Sequence, residues 1–371
     1  MRTIAVLGGY GIFGGRVAQG LVSHPDAKVR VVGRDPAVGT AFAKSIGADF
    51  LAADLMDPSS LAHAVAGADV VIHAAGPFQG RDYRVAEACI DAGAHYLDLA
   101  DARDFVAGIS SLDARARAKG LLISSGASSV PAITHALVTA VLPNFRRVDR
   151  IDIALAPGNK NPRGSSTIAA ILSYLGKPIR VFAGGRWIEG YGWDDAHERL
   201  FPPPVGPRRI HNCDVPDLEL FPEAFGARTV RFSAGLELEI FNRALSAFAW
   251  LRRRGRLENL PRAASLFRML SLFLYPFGSK NGALSVWVEG EGPDGTPRLR
   301  SIALVTDDDG PATPSAPATI LAKKILNQGP PRLGAFPCMG ILSLDELMEH
   351  LRPLGIWCAR GNEQGWQDAK R

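Results

Sequence analysis

Cysteine is scarce and scattered: the four thiols, Cys89, Cys213, Cys338 and Cys358, form neither a C-x-x-C pair nor a close group with histidines. That spacing excludes a local redox motif and a disulfide framework, and no metal site is expected. Long apolar runs are missing too. The longest, Ala264 to Phe277, is interrupted by Arg268 and Pro276 and falls short of the roughly 20 residues a spanning helix needs. Charge of one sign does not dominate, because a formal net charge of +5 is spread over 371 residues. No base-reading motif accompanies the basic residues, so nucleic acid is not an expected partner. No leader precedes the first strand-like run, and a cytoplasmic location is the expectation.

Glycine, by contrast, is abundant, and five crowd the stretch VLGGYGIFGGRVA, Val6 to Ala18. Each loses more backbone entropy on folding than any other residue, so something must require the bare backbone. Thr3 to Leu7 before them is β-rich, and Phe13, Val17 and Leu21 after them recur on one helix face. The unit repeats. Lys28 to Val32 reads as a strand and Asp35-Pro36 opens a helix that Gly47 closes, while Phe50 to Ala53, Asp69 to Ala74, His95 to Leu99 and Leu121 to Ser124 read as further strands. Apolar strands alternating with helices imply a parallel sheet covered on both faces, wound doubly by right-handed crossovers.

In that context the glycines match G-x-G-x-x-G from Gly9 and G-x-x-G-x-x-G from Gly8. This is the dinucleotide fingerprint of a Rossmann domain: Gly8 or Gly9 makes the turn, Gly11 admits a pyrophosphate to backbone N–H groups, and Gly14 lets helix and sheet approach. Tyr10, Ile12 and Phe13 complete the turn that faces the cofactor, and the helix end supplies positive potential. An NAD site usually carries an acid after the second strand, whereas here the run is Val32-Gly33-Arg34. Arg34 suits a 2′-phosphate, so NADP is expected; Asp35 is the acceptor that NAD would use, but it also reads as a helix cap. Asp54, ending the third strand, is a candidate for the adenine amino group or a local cap.

The run VVIHAAGPFQGRDYRVAEACIDAGAHYLDLADARDF, Val70 to Phe105, resembles the saccharopine dehydrogenase-like oxidoreductases in three places. These are the A-G-P-F turn at Ala75, Gly76, Pro77 and Phe78, the A-C-x-x-A-G helix end at Cys89 to Gly93, and H-Y-x-D-L at His95 to Leu99. The likeness continues through PRGSSTIAAILSYLGKP, DVPDLELFP and FGSKNGALSVWVEG. The resemblance implies an N-terminal NAD(P)-binding domain, a second domain of mixed sheet and helices for the substrate, and a C-terminal return to the first. It places Tyr96, Asp98 and Asp101 beside the nicotinamide half of the cleft. The early glycines also resemble extended short-chain dehydrogenases, but the Tyr-x-x-x-Lys pair those need is missing: Tyr83 leads to Glu87, Tyr96 to Ala100 and Tyr174 to Pro178.

Beyond Leu142 the pattern changes to alternation, as in Ile151, Ile153 and Leu155, and to hairpins at Gly184-Gly185 and Asp294-Gly295. The expected fold is therefore α/β, a doubly wound Rossmann domain at 1–130 with an inserted α+β substrate domain of mixed or antiparallel sheet at 131–310. A closing segment, 311–371, is expected to pack back on the first domain. Pro- and Gly-rich loops are expected at 201–206 and 310–317, on the domain borders. In the second domain GNKNPRGSST offers Lys160, Arg163 and Ser165 before a helix, a setting that would stabilise a carboxylate or another anion, the alternative being a solvated loop with Ser165 as helix cap; His135 is a further substrate-site candidate. The stretch 241–274 alternates apolar helix spacing with Arg252 to Arg256, a pattern for a peripheral membrane contact or for burial in the fold. The function expected is hydride transfer between NADP and a small or lipid-like carbonyl, imine or enoyl compound, in a homodimer; a silent nucleotide sensor or lipid-associated protein is the alternative.

Overall fold

The computed structural model describes residues 1–257 and 260–367. They form two compact units: Met1–Ile133 with Pro311–Leu342, and Thr134–Gly310 with Ser343–Arg371. In the first, six strands alternate with helices: β1 (Arg2–Leu7), β2 (Ala27–Gly33), β3 (Asp49–Ala52), β4 (Val70–His73), β5 (His95–Asp98) and β6 (Leu122–Ser125). They pair in parallel in the order β3-β2-β1-β4-β5-β6, and Gly334–Pro337 adds a strand beyond β6. Strands covered on both faces can be apolar throughout, and every residue of β4 and β6 is buried. Strand order reverses between β1 and β4, so the crevice at their carboxyl ends is the topological switch point.

The first helices show why the punctuation in the sequence works. α1 (Ile12–Val22) starts at Gly11 without any side-chain cap. α2 (Pro36–Ile46) is capped by Asp35, whose carboxylate accepts from the N–H groups of Ala37 and Val38, and it ends on Gly47 with φ of 75°. Asp57 caps α3 (Pro58–Val65) in the same way, through the Ser59 N–H. The 310–317 stretch is not the expected loop: a helix runs from Ala312 to Gln328 with Pro317 inside it. Its burial against α1 decides the matter, since a Cβ on Gly20 would lie 3.0 Å from the Thr319 methyl and the Ser315 hydroxyl bonds the Phe13 carbonyl at 3.2 Å. Packing along that face outweighs one hydrogen bond lost at proline.

The second unit is built on a ten-stranded mixed sheet. At its centre Arg147–Ala156 lies parallel to Thr229–Ala234 on one side and antiparallel to Gly282–Glu291 on the other. The Gly184-Gly185 turn has φ of 62° and 80°, the two positive values a tight hairpin requires. Phe201–Gly206 does not mark a domain border; Phe201 is fully buried inside this unit and meets Trp287 edge-on at 5.7 Å. The closing segment also departs from expectation, because it divides. Residues through Leu342 join the first unit, whereas Leu344–Leu351, with its Ser343/Glu346 capping box, and Ile356–Asn362 join the second. The reason is an open edge: Pro297–Thr306 would otherwise present an unpaired row of N–H and C=O groups, and Ile356–Asn362 pairs with it.

Candidate functional site

The crevice at the ends of β1 and β4 is shaped by backbone alone. A Cβ on Gly8 would stand 2.9 Å from Ala75 N, and one on Gly14 would stand 2.3 Å from Gly8 O. Both glycines are therefore required by contact, and Gly8 also by its φ of 74°. Gly9 is equally tight, with Val6 O at 2.6 Å from a would-be Cβ. Gly11 N–H closes the turn onto Gly8 O at 2.9 Å, and Gly15 is the first residue to turn back into the helix, onto Gly11 O at 2.8 Å. The N–H groups of Ile12, Phe13 and Gly14 accordingly point out of the helix end, with no acidic side chain in the first turn to meet them. Such an end attracts an anion.

Tyr10 stands beside this turn as a pillar. Its ring fills the space over Gly33, where a Cβ would come within 2.2 Å of Cε1, and its hydroxyl accepts the Asp35 N–H at 2.9 Å. The Asp35 carboxylate takes both cap hydrogen bonds on Oδ1, so its other oxygen remains an acceptor beside Arg34. Arg34 is exposed, and no carboxylate among the described residues pairs with it. An exposed guanidinium that no carboxylate holds, at the end of a second strand, is of the kind that suits a ribose 2′-phosphate. Asp54 is exposed and has one oxygen on the Met56 N–H at 3.0 Å, so its turn-forming role is real and its second oxygen faces outward.

The opposite wall is the half-buried Ala75-Gly76-Pro77 turn. Buried His73 steadies it by accepting the Ala75 N–H at 3.3 Å; burial and the nearby Arg81 push its pKa down to about 3, so the imidazole is neutral. The candidate proton carriers fall into two groups. Tyr96 and Asp98 are both 0% exposed. One Asp98 oxygen accepts from Gly126 N–H at 2.7 Å, Ser125 hydroxyl at 2.9 Å and Ala100 N–H at 3.0 Å, which ties the end of β5 to the loop after β6. Its other oxygen and the Tyr96 hydroxyl are buried without a hydrogen-bond partner of ordinary geometry. Burial raises the Asp98 pKa to about 6 against the pull of those donors; burial first, and then the Asp98 charge, raises that of Tyr96 further still. Asp101 differs: it is half-buried, accepts from Gln79 at 3.1 Å, and has its carboxyl pushed up by burial. Neither Gln79 nor Ser125 is singled out by sequence reasoning; the signal for Ser125 was a polar pair ending an otherwise apolar strand.

The second unit holds the other candidates. Lys160, Arg163 and Ser165 share the loop before the Ser165–Tyr174 helix, but Ser165 is its first residue and not its cap, a place taken by Gly164. Gly164 has extended backbone that positions the chain for the helix without help from a side chain. Arg163 turns back onto Asn159, bonding its carbonyl and, at 2.7 Å, its Oδ1, and lies over the Phe241 ring. His135 is apart from that loop in its contacts, packing on Phe225 at 5.1 Å and Phe221 at 6.3 Å, with its pKa lowered by burial. A groove of about 460 Å³ in the same unit is lined by Trp193, His211, Arg209, Arg243 and Arg253; its arginines are paired with Glu239 and Asp194, and it contains none of the dinucleotide fingerprint. No cluster of metal ligands occurs among the described residues.

The residues of the first crevice fit a dinucleotide: a cradle that a Cβ would fill, a helix end without a cap, and an unpaired arginine. Residues 4–123 match the family described as saccharopine dehydrogenase NADP binding domain. Among solved structures, the chain is similar to apo histidine-tagged saccharopine dehydrogenase (L-Glu forming) from Saccharomyces cerevisiae, with 17% identity over 98% of this chain and 100% of that one, and a TM-score of 0.70. It is also similar, at 17% identity over 80% of this chain and 71% of that one with a TM-score of 0.39, to GenD2 from gentamicin A biosynthesis in complex with NAD. The first likeness shows a shared fold. No curated protein matches the chain in sequence.

Proposed function

We propose, for a chain whose residues 4–123 match the family described as saccharopine dehydrogenase NADP binding domain, an NADP-dependent oxidoreductase acting on a small or lipid-like carbonyl, imine or enoyl substrate. The observation that carries this reading is the pairing of an uncapped α1 end with an exposed Arg34 that no carboxylate among the described residues holds. The N–H groups of Ile12 and Phe13 would hold the diphosphate, Arg34 the 2′-phosphate, and the Ala75-Gly76-Pro77 turn the far side of the dinucleotide. When bound, the nicotinamide supplies or accepts the hydride. Asp101, held by Gln79 and half-open, is the carboxyl suited to exchange a proton with substrate; Asp98 is a positioning residue that fixes the loop after β6. In the second unit Lys160 and the exposed Ser165 are the groups that would meet an anionic part of the substrate, and Arg163 shapes their loop.

The test is calorimetry with NADPH and NADH, followed by NADPH consumption against panels of keto acids with amines, enals and enoyl lipids. Tight binding of NADPH over NADH with turnover on one panel supports the proposal. A second reading, a silent nucleotide-binding protein, draws on the complete burial of Tyr96 and Asp98. Binding without turnover on any panel favours it, and absence of binding removes both.

A further inference from the structure

The helix Ala264–Phe273 is amphipathic the wrong way round. Its inward stripe is Ala264, Phe267, Ser271 and Leu274, seated against the Ser165–Tyr174 helix, with Phe267 edge-on to Phe248 at 5.2 Å. Its outward stripe is Leu266, Met269, Leu270 and Phe273, all exposed, and Phe273 is 75% exposed. Leu272 widens the apolar patch within the helix, and Tyr275 and Phe277 extend it past the helix end. A surface helix ordinarily buries the larger apolar stripe and shows polar residues to water. Contiguous exposure of this many large apolar side chains marks a surface with a partner.

Charge selects the partner. Residues 240–280 contain Arg243, Arg252, Arg253, Arg254, Arg256, Arg262, Arg268 and Lys280 against one acid, Glu258. Arg243 and Arg253 are held by Glu239 and Asp194. Arg254, Arg256, Arg262 and Arg268 are exposed, and no carboxylate among the described residues pairs with them; Arg254 lies over the Trp250 ring at 3.7 Å. A two-fold contact with a second copy would set these arginines against their own equivalents. An anionic surface with an apolar interior satisfies both features at once. No helix among the described residues is long and apolar enough to cross a membrane, so the contact is one of lying on the surface.

We propose that the Ala264–Phe273 helix and the following Leu274 to Phe277 turn dock on an anionic lipid bilayer, apolar stripe inward and the unpaired arginines at the headgroups. The leucine and phenylalanine side chains enter the acyl boundary and the guanidiniums meet lipid phosphates. The docking is independent of the nucleotide crevice, so failure of one leaves the other standing.

The experiment is co-sedimentation of the full chain with phosphatidylcholine vesicles, with and without phosphatidylglycerol, at low and high salt. Binding is expected with phosphatidylglycerol at low salt, weakening as salt rises. Leu270→Asp with Phe273→Asp should lower partitioning by ~100-fold or more, since two buried side chains are lost. Arg262→Ala with Arg268→Ala should lower it by about 25-fold, roughly fivefold for each charge. NADPH affinity and melting temperature, measured on the same variants, are expected to stay unchanged, which separates lost docking from lost folding. The proposal is overturned by absence of binding to anionic vesicles, by equal binding to neutral ones, or by equal binding of the aspartate variant. It is also overturned if sedimentation velocity shows a dimer that the aspartate variant splits, since a second copy then covers this face.

Discussion

Two helix ends in this protein look alike on paper and differ in what they ask for. α1 and the Ser165–Tyr174 helix both begin on a glycine, both lack a side-chain cap, and neither has an acid in its first turn. At α1 the glycines are forced, because Gly8 and Gly14 have other backbone atoms where a side chain would go. At the second helix the nearby cation, Arg163, is already committed to Asn159 and Phe241. The first helix end owes its shape to backbone contacts that exclude side chains, whereas the second is shaped by an arginine turned back on its own loop, which leaves Lys160 and Ser165 as the groups proposed to meet substrate. Glycine content alone does not separate these cases; the contacts around each helix end do.

The strongest way to break this contrast is Gly14→Ala. Its methyl would collide with Gly8 O, and NADPH affinity should fall by about 100-fold, ~2.7 kcal/mol, in a titration by calorimetry; an unchanged affinity would show that the cradle is not used. Arg34→Ala should weaken NADPH by roughly tenfold or more while leaving NADH as before, the size of a charge-assisted hydrogen bond lost. Equal losses for both cofactors would refute the 2′-phosphate assignment. Asp98→Asn tests the framework behind the cradle. The Asp98 carboxyl has an ordinary value of 3.8 and a folded value of about 6, so between those pH values the folded chain retains a proton that the unfolded chain has released. Its contribution to stability therefore declines as pH rises from about 4 to 6. Urea unfolding across that window should show the asparagine variant gaining on the native chain with rising pH, and a constant difference would count against the shift. The smallest effect belongs to the second helix end: Arg163→Ala should cost ~1 kcal/mol in unfolding free energy and leave NADPH affinity untouched.

What was legible in the sequence follows the range of the forces involved. The glycine turn, the Asp35-Pro36 start and the Gly184-Gly185 hairpin all depend on neighbours within a few residues, and each is where the pattern put it. The first turns of the Ala312–Gln328 helix were obscured because prolines there speak against a helix locally, while the packing that stabilises them comes from α1, some 300 positions away in sequence; from Ala318 to Leu326 the helical spacing is plain. The fate of Ile356–Asn362 was hidden for the same reason, since only the sheet reveals that an edge needed a partner. At the site, residue types named the cradle, but burial sorted the carboxylates. Nothing in His95 to Asp101 distinguishes an Asp98 sealed under three donors from an Asp101 left half-open.

The way the chain is shared between its two units has a consequence for how it is born. The dinucleotide domain needs the helix Ala312–Gln328 against α1 and the strand Gly334–Pro337 beside β6. A nascent chain emerging from the ribosome therefore exposes the flank of α1 and the rim of β6 until more than three hundred residues have been made, and the second unit waits longer still, since Ile356–Asn362 is the strand that covers its open edge. Cofactor capture is then a late event in biogenesis, and fragments ending before residue 311 should clump or call on chaperones when produced alone.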